Sequence, residues 1–270
     1  MRLDFHLHTD WSDGTLSVRE LAASLKNANL EVAAITDHDT MRSHVEPSWQ
    51  AAIALKILAG VEINTNEAME TLHILGYGPS LTASPDFQQK LLGFRQARRR
   101  RAQAMVDKLT ALGIGISMSD VEAHARESIG RPHVADALGA LGVVQSRSEA
   151  FHRFLLKGKP AYTAPLGPDP ELAIRSIVEA GGVAVLAHPG IARIDEKKLS
   201  SLVALGLLGI ESYHPMHNNQ QIRDYLSWAR KFGLFITCGS DYHGPATGRE
   251  DLTSYDFEER DFRKFLEAAS

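Results

Sequence analysis

Apolar residues in this chain gather in seven short runs: LDFHLH (3–8), VAAIT (32–36), ILAGVE (57–62), TLHILGY (71–77), GVAVLA (182–187), LGIESY (208–213) and LFITCG (234–239). Most lack strict apolar–polar alternation, the pattern of strands buried on both faces. Helical patterns lie between many of them. Ser17-Val18-Arg19-Glu20 has the form of a capping box, in which hydroxyl and carboxylate satisfy free backbone N–H groups at a helix start. Asp169-Pro170-Glu171 predicts another helix start, and Gly181-Gly182 its end. Further helices are predicted over about 195–205, 218–232 and 257–268. Alternating strand and helix predicts a mainly parallel α/β barrel.

Two regions depart from that rhythm. Only eight residues separate Glu62 from Thr71, whereas a parallel crossover needs about a dozen or more. Strands three and four are therefore expected to be antiparallel, or the barrel to be distorted there. Between Gly78 and about Pro165 the strand rhythm stops. A long helix is predicted near 86–112, another after SMSD (117–120), and a third over HVADALGAL (133–141). The core of this stretch, 99–165, reads as an inserted helical subdomain that lids the site. Residues 1–98 and 166–270 then form the two parts of the barrel.

Composition narrows the class. The chain has 270 residues, 44% hydrophobic and 23% charged, enough for a substantial core. A net charge of −4 excludes a uniformly basic nucleic-acid coat but leaves room for a local patch. The single cysteine, Cys238, permits no internal disulfide, as in a reducing compartment. It lies in an apolar run and reads as core. No apolar leader precedes the first run, and none approaches the ~20 residues of a membrane span. A cytoplasmic protein is expected, with no membrane and no obligate protein partner. Its twelve histidines stand out.

Half of those histidines gather at strand ends, with three carboxylates. His6 and His8 are two apart in the first strand, so they share a face. His38 ends the second run and Glu62 the third. His73 begins the fourth, which lies at the same mouth if that strand runs backwards. His188 follows the fifth, Asp241 and His243 follow the seventh, and Asp13 follows the first. Barrel enzymes carry their chemistry at the C-terminal ends of their strands. Six imidazoles and three carboxylates packed there without partners would be very costly. Metal ions resolve that cost. A catalytic zinc uses about three protein ligands, so this set suits two or three divalent ions. A donor set of nitrogen and oxygen without thiolate favours manganese, iron or zinc over copper or an iron–sulfur cluster; manganese is the first expectation.

The motifs HLHTDWSDG, ITDHDT, GVEI, HILGYG, LAHPG and GSDYHG resemble the PHP family, the polymerase and histidinol phosphatase group of metal-dependent phosphoesterases. They cover about 1–80 and 180–244. The resemblance implies a distorted TIM-like (β/α)7 barrel with up to three metals at its mouth. It implies one ion on His6, His8, Glu62 and Asp241, a second on Glu62, His73 and His188, and a third on Asp13, His38 and His243. Within the insertion, IGRPHVADAL (129–138) and FLLKGKPAY (154–162) resemble a subgroup with 3′,5′-nucleoside bisphosphate phosphatases and a 5′–3′ exoribonuclease.

That resemblance points to a phosphatase acting on a small nucleotide, by attack of a metal-bridged hydroxide on phosphorus. A 5′–3′ exoribonuclease on short RNA and a histidinol-phosphate phosphatase are the alternatives. Arg131 and His133 open a helix, where backbone N–H groups favour an anion and a guanidinium can grip phosphate in two places. Both are candidate catalytic and substrate-binding residues, with His133 a candidate proton donor. Lys157, Lys159 and His217 are further candidate substrate contacts. His214 shares the loop of His217. The run RQARRRR (95–101) cannot form one stripe, because successive helical residues step by about 100°; one or two of its arginines are expected near the cleft. His44, His124 and His152 are expected on the surface.

Overall fold

The computed structural model describes residues 1–45, 55–66, 72–252 and 255–270. Thr71, the first residue of the fourth predicted strand, lies outside them. All seven predicted strands are present: β1 (Arg2–Leu7), β2 (Val32–Ile35), β3 (Lys56–Asn64), β4 (His73–Tyr77), β5 (Val183–Leu186), β6 (Gly209–Tyr213) and β7 (Phe235–Cys238). A two-residue strand, β8 (Tyr255–Asp256), adds antiparallel to the start of β1. It is too short to show a periodicity, and the sequence did not predict it.

The sheet order is β7-β6-β5-β4-β3-β2-β1-β8. Beyond the end of β1, the His8 N–H donates to the Tyr242 carbonyl at 2.9 Å, and Leu7 bridges Tyr242 in parallel. That contact nearly closes the seven strands into a distorted TIM-like barrel. β4 runs against both neighbours, pairing Asn64 with His73 on one side and Ile74 with Leu186 on the other. The short β3–β4 connection allows nothing else. Reversal puts the start of β4 at the same mouth as the ends of the other strands.

Alternation in β1 explains its polar rings. Leu3, Phe5 and Leu7 share one face, and Phe5 meets Phe265 of the helix Glu259–Ala268 at 5.1 Å between ring centroids. Asp4 and His6 share the other face, and both are fully buried. The predicted capping box opens the helix Val18–Asn27, and Asp169 caps Pro170–Glu179 by accepting the Leu172 N–H at 2.7 Å.

The long helix Pro85–Ala111 serves two cores. Phe87, Leu91 and Phe94 pack with barrel residues such as Ile74 and Ile177. Ala102, Met105, Val106 and Leu109 belong to a separate core with Val134, Leu138 and Leu155. The helices Met118–Glu122, Arg131–Ala140 and Arg147–Ala150 and the π-helical turn Phe151–Leu155 complete that unit. Cys238 is buried as expected. His44 corrects an expectation: it is half-buried rather than on the surface. Its Nε2 lies 2.9 Å from the Ile35 carbonyl and 3.1 Å from that of Gly60, so a polar ring ties β2 to β3.

Candidate metal centre

The nine predicted imidazoles and carboxylates meet at one mouth. Their ligand atoms form three overlapping groups, each with atoms within 4.8 Å of one another. The first holds His6, His8, Glu62 and Asp241. His6 Nε2 lies 3.1 Å and His8 Nε2 3.2 Å from the same Glu62 oxygen, Oε2. The second holds Glu62, His73 and His188, with His73 Nδ1 at 2.7 Å and His188 Nε2 at 3.0 Å from Glu62 Oε1. One carboxylate therefore faces two groups with different oxygens. The third holds Asp13, His38 and His243, and also His8. His243 Nε2 is 3.3 Å and His38 Nε2 3.7 Å from Asp13.

These side chains fit metal ions by a test internal to the structure. Buried polar atoms nearly always have hydrogen-bond partners. Here His6 Nε2, His8 Nε2, Asp13 Oδ1, His38 Nδ1, Glu62 Oε2 and Asp241 Oδ1 are buried without one. The unpartnered atoms converge at the groups' centres. Divalent cations satisfy such lone pairs and neutralise the carboxylates together, and an all-nitrogen-and-oxygen set suits manganese, iron or zinc.

Local electrostatics are severe. Burial works against ionisation of Glu62, yet His38, His6 and His73 hold it well below the usual carboxylate range. Burial likewise opposes a charged His6, but Glu211, Glu62 and Asp241 outweigh it and raise its pKa well above the ordinary value. Burial dominates at His73 and pushes it down to about 4. Two ligand candidates also carry unusual backbones: His188 has φ 26° and Asp241 φ 55°. Side chains other than glycine hold such angles at a cost of about 1–3 kcal/mol, and such residues cluster at functional sites.

Above the groups opens a cavity of about 500 Å³. Asp13, His38, His73 and His243 line its floor, and Arg98, Arg101, Arg131, Arg147 and Arg249 line its walls. Arg98 and Arg101 are the two members of the arginine run that reach it. Arg131 lies with its guanidinium carbon 5.5 Å from the Phe151 ring centroid. His133 is buried behind this wall, with Nδ1 accepting the Gly130 N–H at 2.9 Å. Burial lowers its pKa, which keeps the ring neutral. Lys157 and Lys159 are exposed and do not line the cavity. Nor does His217, whose ring takes the Gly190 N–H at Nε2 (3.1 Å) and faces the Ser212 carbonyl with Nδ1 (3.1 Å). His214 instead turns Nε2 toward Asp241, at 3.8 Å. His124 is exposed, and so is His152, which lines the cavity rim.

Several supporting residues escaped the sequence reading. Asp37 accepts from the Thr9 N–H and hydroxyl and from the Ser12 hydroxyl, each at 2.7 Å, and so braces the loop leading to Asp13. Arg98 bonds Asn64, whose amide lies 2.7 Å from His73 Nε2. Glu211, fully buried in β6, lies 3.0 Å from His6 Nδ1. Its signal was visible: like Glu62, it is one acid inside an apolar run. Asp37 gave none, and the arginine run 95–101 predicted cleft arginines without singling out Arg98.

Comparison with known proteins agrees with this geometry. The PHP domain family matches residues 4–156. A 3′,5′-nucleoside bisphosphate phosphatase of Chromobacterium violaceum is 32% identical, covering 93% of this chain and 90% of that protein. A 5′-3′ exoribonuclease of Haemophilus influenzae is also 32% identical, covering 90% of each. A solved structure from Bifidobacterium adolescentis, described as a metal-dependent phosphoesterase, superposes with a TM-score of 0.88 at 31% identity, covering 99% of this chain and 96% of that one. Fold, ligand groups and likeness converge: the chain belongs to the PHP family and is a metal-dependent hydrolase of phosphate esters.

Proposed function

We propose that this enzyme removes a phosphate from a small nucleotide, with the 3′-phosphate of a 3′,5′-nucleoside bisphosphate as its substrate. The observation that carries the reading is the cavity. Its floor is the metal-ligand cluster and its walls present five arginines. Its size falls in the roughly 300–1,000 Å³ range of small-molecule sites. Several guanidiniums lining one cavity suit a ligand with more than one phosphate, although Arg98, Arg147 and Arg249 also pair with Asp39, Asp136 and Asp241.

His6, His8, Asp13, His38, Glu62, His73, His188, Asp241 and His243 would hold two or three divalent ions, manganese first. Such ions supply Lewis acidity and activate water near neutral pH. The protein's own groups do the rest. Arg131 clamps a phosphate at the start of the helix Arg131–Ala140, where backbone N–H groups add to its charge. His133 keeps its Nδ1 on the Gly130 N–H, so its neutral ring carries a proton on Nε2 and offers the leaving oxygen a hydrogen bond from there, not a transferred proton. If His133→Ala leaves turnover unchanged on a substrate with a poor leaving group, that donor role is wrong. Residues 99–165 act as the lid that shapes the pocket.

The test is phosphate release from manganese-reconstituted protein. Adenosine 3′,5′-bisphosphate, AMP, histidinol phosphate and a 5′-phosphorylated oligonucleotide are offered in parallel. Fastest release is expected from the bisphosphate. Preferential shortening of the oligonucleotide by single nucleotides would overturn the reading in favour of an exoribonuclease, the activity named for the Haemophilus relative.

A further inference from the structure

Glu211 stands beneath the metal centre and touches two of its groups with different oxygens. Oε1 lies 3.0 Å from His6 Nδ1, and Oε2 accepts the His188 backbone N–H at 2.7 Å. The residue is fully buried, as is His6. Gly239 leaves the space for this contact, since a methyl group on it would collide with His6 Cβ and Glu211 Oε1. The opposite edge of the His6 ring, Nε2, is unpartnered and aims at Glu62 (3.1 Å) and Asp241 (3.6 Å).

We propose that Glu211 is a positioning residue that fixes the proton of His6 on Nδ1, reserving Nε2 for the ion, and that ties the backbone of His188 to the same carboxylate. The inference needs only a metal centre, and it holds whichever phosphate ester is hydrolysed. A carboxylate can only accept hydrogen bonds, so the ring atom facing it must carry the proton. A ligating histidine held in this way has its ring direction set before the ion arrives and keeps its Nδ1 proton when the ion takes Nε2. Through Oε2 the same side chain secures His188 at its left-handed turn, so one residue aligns a ligand of the first group with a ligand of the second.

Glu211→Gln separates this role from simple packing. Glutamine keeps the shape but offers one acceptor oxygen and one NH2 donor. The His188 N–H can only donate, so it retains the oxygen. The NH2 group then faces His6 Nδ1, which must accept. The ring proton moves to Nε2, the atom the ion needs.

The experiment titrates metal-stripped wild type, Glu211→Gln and Glu211→Asp with manganese(II) by calorimetry. It also records 15N NMR of the histidine rings in zinc-loaded samples. In wild type, His6 is expected to carry its proton on Nδ1. In Glu211→Gln, one manganese ion binds about 10–100-fold more weakly and the His6 proton appears on Nε2. Glu211→Asp keeps two acceptor oxygens and restores the Nδ1 proton. Wild-type manganese affinity and an unchanged His6 tautomer in Glu211→Gln overturn the proposal. So does a zinc-loaded wild-type His6 with no proton on Nδ1, and that result decides the matter even if the glutamine variant fails to fold.

Discussion

The barrel mouth and the helical insertion are built on opposite principles. At the mouth, charge is buried: His6, His8 and Glu62 are at most 1% exposed, and His6 Nε2, His8 Nε2 and Glu62 Oε2 lack hydrogen-bond partners. In the insertion, charge stays near water, as in the Arg126–Asp10 pair at 3.0 Å, while Val134, Leu138 and Leu155 fill an ordinary apolar core. The mouth gives up stability for ligand placement and regains it when ions bind, because a ligand that binds only the folded state stabilises it. The helical unit has an apolar core of its own and adds a wall to the cavity. The candidate metal ligands thus sit at the ends of the barrel strands, and the helical unit supplies part of the cavity wall.

The sharpest way to break this division is Glu62→Gln. Losing the carboxylate shared by two groups should lower phosphate ester hydrolysis by about 10³-fold or more, since bound ions supply several kcal/mol of transition-state stabilisation. A manganese titration should show weakened binding in the same variant. Activity near that of wild type would mean that the groups do not work as a unit. Leu138→Ala tests the other region. Emptying this fully buried site should cost about 2–5 kcal/mol of stability in chemical denaturation, yet leave manganese affinity within about twofold. A parallel loss of metal would show that the two regions are energetically one.

Arg131→Ala sits on the boundary. A charged hydrogen bond to phosphate is worth about 1.5–3 kcal/mol, so KM for a bisphosphate should rise roughly 10–100-fold, with metal content unchanged. The effect should be smaller on a substrate with a single phosphate. The gentlest probe is Arg126→Ala. This guanidinium stacks 3.8 Å from the Trp11 ring centroid and pairs with Asp10, joining the insertion to the loop after β1. Exposed pairs contribute at most about 1 kcal/mol. A thermal shift of a few degrees, with kcat unaltered, is expected.

Much of this architecture was legible in residue order. The seven apolar runs became seven strands because a strand buried on both faces must be written as one. The short Glu62–Thr71 connection implied the reversal of β4, since chain length alone forbids a parallel crossover. The capping residues Ser17 and Asp169 act within three residues of themselves, so local sequence suffices to place them. His44 was misjudged because its partners, the Ile35 and Gly60 carbonyls, come together only when β2 and β3 pair.

The sequence by itself determined which groups could do chemistry: a histidine pair of period two and lone acids at the ends of apolar runs. Tertiary structure decided how they share the work. It turned the two oxygens of Glu62 toward different groups, put His8 in two groups, and aimed His214 rather than His217 at Asp241. It also brought Glu211 under His6 across 205 positions of chain. The physical reason is range. Backbone periodicity and capping are set by neighbours a few residues apart. Which oxygen faces which ring is set by closure of the barrel, through contacts that a linear sequence does not order.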